Sequence, residues 1–210
     1  MGELDVERGE FWIENPWKMN NRPLNVSAYE PNQVFLNFGS NRFIEVGYLT
    51  TADSDGDGRG AMVADVTGDL QPDILVRQAG GGPIRIYANR FPPTSRLVVS
   101  LNGVKSNRLG IGATVIAEAG GKRLMRQMFP DTNFASSQAN EVRFGLGKAE
   151  VVDRLIVRWP AGLVQEFESV RVGNHIRITE GRPDYEILFS ASQDVPQVDS
   201  GTAAVKGASR

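Results

Sequence analysis

From Arg96 onward the chain is cut into short runs in which apolar and polar residues alternate, and most runs end at Gly, Asn or Pro. In "RLVVSLNG", Leu97, Val99 and Leu101 oppose Val98 and Ser100. A period of two puts successive side chains on opposite faces of an extended backbone, so each run reads as a strand with one buried face. "EVRFGLG" places Val142, Phe144 and Leu146 on one face. "TVIAEAGGKRLMRQM" reads as two strands about Gly120-Gly121, a pair that accepts positive φ. "DRLIVRWPAGLVQEF" reads as a hairpin, with Leu155, Val157 and Trp159 inward and Pro160 and Gly162 in its turn. "HIRIT" adds a strand. Helical periodicity is scarce, which predicts an all-β protein, and sheets of this kind stack as a sandwich or close as a barrel.

The first half carries the same punctuation. "QVFLNFG" and "NRFIEVGYL" form an expected hairpin closed by "GSN", followed by "GAMVADV", "DILVRQ" and "IRIYANR". The two prolines of "FPPTS" lack N–H donors and mark a stiff connection. The expected organisation is a blade-like antiparallel sheet over 1–93, a β-sandwich or barrel-like domain over 94–181, and a flexible tail over 182–210, where periodicity fades.

Charge divides along the same line. Residues 1–93 hold 8 basic and 13 acidic side chains, whereas residues 94–181 hold 12 and 8. The excess in the second part falls short of a nucleic-acid footprint, and no nucleic-acid partner is expected. No apolar run approaches the roughly 20 residues of a membrane span. The acidic N-terminus does not read as a signal peptide. Cysteine is absent, which removes disulfides and thiolate metal sites. The single histidine, His175, excludes a His-rich zinc site and is expected to be structural; a Ser-His-Asp relay is conceivable only around it. "NVS" at Asn25 matches a glycosylation acceptor.

Two acidic loops carry the most chemistry. "DVTGDLQPD" offers side-chain oxygens at Asp65, Thr67, Asp69 and Asp73, with the Gln71 carbonyl between. Calcium takes six to eight oxygens at about 2.3–2.6 Å, and odd positions of a tight loop can converge to supply them. Gly68 permits the turn, but Leu70 stands where many such loops carry a second glycine. Val76 occupies the place of the closing glutamate of an EF-hand, so that motif is not expected. Asp53, Asp55 and Asp57 form a sparser cluster, with the Arg59 carbonyl in reach and Ala61 where the closing acid would stand. Turn formation alone accounts for Asp and Gly. Carboxylates packed this closely nevertheless repel without a counter-ion, so Ca2+ is the expected cofactor of these eight residues.

These stretches resemble known families. "GAMVADVTGDLQPDILV…GGGPIRIYANR" resembles the FG-GAP, or VCBS-type, repeat, one β-propeller blade with a calcium loop between its first two strands. "VFLNFGSNRFIEV" is similar to the outer strands of such a blade. "SNRLGIGATV", "SSQ", "RFGLG", "VDRLIVRWPAG" and "TEG" resemble, in order, the ASPIC/UnbV domain that follows such repeats in cartilage acidic protein and bacterial surface proteins. The chain holds about one and a half repeats. A blade buries its faces against neighbours. It therefore belongs to a longer propeller or packs on the second domain, with "FWIENPW", Phe35, Phe38, Phe43 and Tyr48 as apolar surface.

The resemblance implies a non-enzymatic, calcium-stabilised interaction or adhesion module of an extracellular, cell-surface or periplasmic protein. The alternatives are an accessory protein of a biosynthetic cluster, as the name UnbV suggests, or a domain binding an anionic glycan. Lys122, Arg123, Arg126, Arg143, Arg154 and Arg158 would serve the glycan, against the default of a solvated sheet face. No nucleophile elbow, phosphate loop, zinc motif or dinucleotide fingerprint is present, and "GIGATV" lacks the context of one.

Overall fold

The computed structural model describes residues 31–54, 58–78, 83–130 and 137–191. Asn25, "FWIENPW", Asp55, Asp57 and the stretch from 192 onward lie outside the described residues. Among the described residues, thirteen strands in four sheets and one short helix make the protein mostly β. Neither a closed barrel nor a closed propeller is present among the described residues.

The second part is a sandwich. Its strands are β6 (Ser95–Asn102), β7 (Thr114–Ala119), β8 (Lys122–Gln127), β9 (Glu141–Gly147), β10 (Val151–Arg158), β11 (Val164–Arg171), β12 (Asn174–Thr179) and β13 (Tyr185–Ser190). One sheet runs β11-β10-β7-β8 and the other β13-β12-β6-β9. Alternation decides what lies between them. Leu97, Val99 and Leu101 meet Val142 and Phe144 from one sheet and Val115, Leu155, Val157 and Phe167 from the other in one buried cluster. Burying each such side chain contributes about 1.5–3 kcal/mol relative to leaving it in water. Phe144 is the largest fully buried side chain among the described residues, and truncating it to Ala costs about 3–5 kcal/mol.

The turns follow local chemistry. Gly120 and Gly121 take φ of 54° and 72° between β7 and β8. Trp159 accepts from Gly162 N at 3.0 Å and donates to Leu163 O at 2.9 Å, closing the β10–β11 hairpin. β12 pairs with β6 in parallel, from Asn174 opposite Leu97 to Thr179 opposite Asn102. A parallel pair needs a long crossover, here the chain from β7 to β11. The domain does not end at Gly181. Tyr185–Ser190 forms β13 against β12, and Tyr185 packs edge-on to Phe167 with ring centroids 5.9 Å apart. The expected tail over 182–210 is thus corrected: its first ten residues are a turn and an edge strand.

The first part is smaller. β1 (Phe35–Asn37) and β2 (Phe43–Glu45) form the expected hairpin. "GYLT" is a short helix, α1 (Gly47–Thr50), where a strand was expected. The Glu45 carboxylate accepts the Gly47 N–H at 2.6 Å and turns the chain there. β3 (Gly58–Ala64), β4 (Asp73–Gln78) and β5 (Arg85–Tyr87) form a three-stranded antiparallel sheet. Its cross-strand rows are apolar on both faces: Met62–Leu75–Ile86 on one, Val63–Ile74–Tyr87 on the other.

Candidate functional site: the acidic loop and the sheet face beneath it

The loop from Asp65 to Asp73 joins β3 to β4, and hydrogen bonds from its own backbone close it. Asp65 Oδ1 accepts from Gly68 N at 2.7 Å and Asp69 N at 3.1 Å, and its Oδ2 from Leu70 N at 2.8 Å. Asp73 is fully buried. Its Oδ2 accepts from Val66 N at 2.8 Å, Thr67 N at 3.2 Å and Thr67 Oγ1 at 3.4 Å, and its Oδ1 from Asn89 N at 2.8 Å. Asp69 accepts from Gln71 N at 2.7 Å and Gln71 Nε2 at 3.0 Å. Burial pushes the Asp69 carboxyl up, but the Gln71 bonds, Thr67 and the charge of Arg96 outweigh it and hold the group below its ordinary value.

The repulsion that the clustered acids would suffer is therefore answered by amide dipoles. A carboxylate offers about four lone-pair positions. Asp65 uses three and Asp73 four by these contacts. The oxygen chemistry suits a hard cation, but the arrangement turns those oxygens to N–H groups. No group of three or more acids or histidines is placed to hold a metal among the described residues. Asp53 is described and partly buried, whereas its partners Asp55 and Asp57 are not.

Leu70 explains the missing glycine. It adopts φ of 63°, a left-handed conformation that costs a side-chain-bearing residue about 1–2 kcal/mol. Its side chain is 3% exposed. Its carbonyl accepts from Arg143 Nη1 at 3.3 Å, which seats the loop on the outer face of the β13-β12-β6-β9 sheet. Arg143 lies opposite Val98, an outer-face residue that is itself 1% exposed. Arg143 also binds Glu141 at 2.5 Å.

His175 stands on this face beside Val98. Its Nε2 meets Ser100 Oγ at 2.8 Å and Glu141 Oε2 at 3.6 Å. A hydrolytic relay needs the hydroxyl and the carboxylate on different ring nitrogens. Here both meet one, and Ser100 lies mid-strand, so these three side chains are not arranged as such a relay. Burial pushes its pKa down; Glu141 opposes this, Arg143 and Arg177 add to it, and Asp65 opposes.

A second cluster drew no functional reading from the sequence. Glu180 Oε2 accepts from the backbone N–H groups of Val104, Lys105 and Ser106 at 2.7, 2.6 and 2.7 Å, and its Oε1 from Ser106 Oγ at 2.8 Å. Successive amides aimed at one anion form a nest. Burial raises the Glu180 pKa, but the Ser106 backbone and hydroxyl and the Val104 and Lys105 amides more than reverse this and hold it at about 2. A Cβ on Gly103 would fall 2.2 Å from the Asn107 carbonyl, so the tight loop requires glycine. Ala161 N donates to Ser106 Oγ at 3.2 Å. Gln165 Oε1 accepts from Trp159 Nε1 at 2.6 Å and Gly181 N at 3.0 Å. The segments "SNRLG", "WPAG" and "TEG" are thus one connected end of the sandwich.

The basic residues are mostly engaged. Arg154 binds Glu166 at 2.6 Å and Arg123 lies 3.2 Å from Glu118, both on the outer face of the other sheet. Arg126 covers the Phe144 ring at 5.9 Å.

Fold and site define a β-sandwich domain with an amide-bound glutamate at one end, joined to a small sheet whose acidic loop docks on it. Residues 103–184 match the model of the family described as ASPIC and UnbV. The match spans the nest loop, the β10–β11 hairpin and Glu180 and does not reach β1–β5, where the FG-GAP/VCBS likeness rests on motifs alone. No curated protein matches the chain.

Proposed function

We propose that this chain is a non-enzymatic recognition or scaffold module in which the β3-β4-β5 sheet packs against further β structure, from a protein partner or from the rest of a longer propeller. One observation carries the reading: that sheet is apolar on both faces, and Ile86 is 53% exposed. A sheet of three short strands cannot bury two apolar faces by itself. The β1–β2 hairpin adds exposed Phe35, Phe43 and Ile44. The arrangement around His175 supports a role other than hydrolysis. An extracellular, cell-surface or periplasmic setting belongs to the proposal through the family resemblance. Sedimentation velocity with a hydrophobic dye tests it. Self-association or dye binding that Ile86→Lys reduces supports the reading. A monomer that binds no dye and ignores that substitution rejects it.

Calcium stabilisation is the second reading, motivated by the three carboxylates Asp65, Asp69 and Asp73 that the sequence places in the one loop between β3 and β4. These carboxylates, Thr67 Oγ1 and the Gln71 carbonyl would be the ligands, and the amide bonds above would yield to the ion. Calorimetry with calcium and with chelator distinguishes the two closures.

A further inference from the structure

The docked loop covers only one end of the outer face of the β13-β12-β6-β9 sheet. The other end is an open cleft of about 470 Å³, walled by Arg108 and Leu109 on one side and Asn140 on the other, with Ser100, Asn102 and Arg177 on its floor. Among the described residues, no carboxylate lines it. A second hollow of about 280 Å³ adjoins it across Asn102 and Arg177 and brings Arg182 together with the carboxylates of Asp184 and Glu186, so the anion is assigned to the larger cleft. Arg177 meets Glu186 at 3.2 Å through Nη1. A guanidinium carries five N–H donors, so one exposed carboxylate leaves most of its fork to bind elsewhere.

We infer that this cleft binds an acidic saccharide, with Arg108 and Arg177 on the anionic group and Ser100, Asn102 and Asn140 on sugar hydroxyls. Arginine forks match planar or tetrahedral anions with two parallel bonds, which lysine does not do. Amide and hydroxyl side chains provide both donors and acceptors, as a sugar hydroxyl requires. Nucleic acid fits less well: a strand binder stacks bases on aromatic rings, and among the described residues no aromatic ring lines the larger cleft. The site differs from the basic residues that the sequence singled out: of these, Arg123 and Arg154 pair with acids on the opposite sheet, Arg126 covers Phe144 and Arg143 meets the docked loop. It is independent of how the β3-β4-β5 sheet is covered.

Isothermal titration with oligogalacturonate, a heparin oligosaccharide, dextran and single-stranded DNA tests this at about 50 mM salt, where screening is weak. Binding of either acidic sugar without dextran binding is expected, and the tighter of the two names the anion. Arg108→Ala and Arg177→Ala should each weaken binding about tenfold or more, the value of a charge-assisted pair. Arg154→Ala, on the opposite sheet, should leave it unchanged. Arg108→Gln, checked by circular dichroism, separates loss of charge from loss of fold. Failure of both acidic sugars to bind, equal binding by the Arg108 and Arg177 variants, or DNA binding as tight as sugar binding would overturn the inference.

Discussion

The Leu70 carbonyl accepts a hydrogen bond from Arg143 Nη1 at 3.3 Å, across 73 residues of chain, and this contact ties the acidic loop to the sandwich. The loop keeps a buried leucine in a left-handed conformation where a glycine would be unstrained. The strain is tolerated because the side chain is buried.

Leu70→Ala loses the burial and keeps the strain, so it should destabilise the docked loop by about 3 kcal/mol. Leu70→Gly loses the same burial and relieves the strain, so it should cost about 1 kcal/mol less. Chemical denaturation and the rate of proteolysis at "FPPTS" measure both. The opposite ranking would remove the docking role of Leu70.

Asp73→Ala strands four donors in a buried site and should cost about 3 kcal/mol. Asp69→Ala frees mainly the two Gln71 donors at a partly exposed position and should cost about 0.5–1 kcal/mol. In chelator this ranking should hold, because amides close the loop. A calcium-dependent rise in Tm, lost in Asp69→Ala, would instead establish the ion.

Glu180 has a folded pKa of about 2 against an ordinary 4.5, so the unfolded chain takes up the proton first. Its contribution is present above pH 4.5 and is lost as pH falls toward 2. Glu180→Gln should lower Tm at neutral pH and flatten the acid limb of the Tm profile. An unchanged profile would count against the nest.

His175 has a folded pKa below the ordinary 6.5, so the unfolded chain again binds the proton more readily. Stability should fall as pH drops through 6.5 toward the folded value. His175→Gln, which can still bond Ser100, should abolish that slope. Tm measured from pH 8 to pH 5 reads it directly.

Legibility followed the range of the interaction. Leu155, Val157 and Trp159 were placed inward by alternation, and they are 0%, 0% and 3% exposed. The Gly120-Gly121 and Pro160–Gly162 turns depend on a few adjacent residues and were equally readable. β13 was missed because "YEILFS" follows a Pro-Asp break and packs only as an edge strand. The short helix after Glu45 escaped because its cause is one side-chain contact to Gly47.

The order of residues alone determined the strands, their inward faces, the hairpin turns and the division into an acidic and a basic part, since period and turn chemistry act between neighbours. Tertiary structure decided the parallel pairing of β6 with β12, the closing of Asp65 and Asp73 on amides, the seat of Leu70 and the joining of Glu180 to Val104, Lys105 and Ser106. Those contacts depend on donors and acceptors that meet only once distant segments have packed.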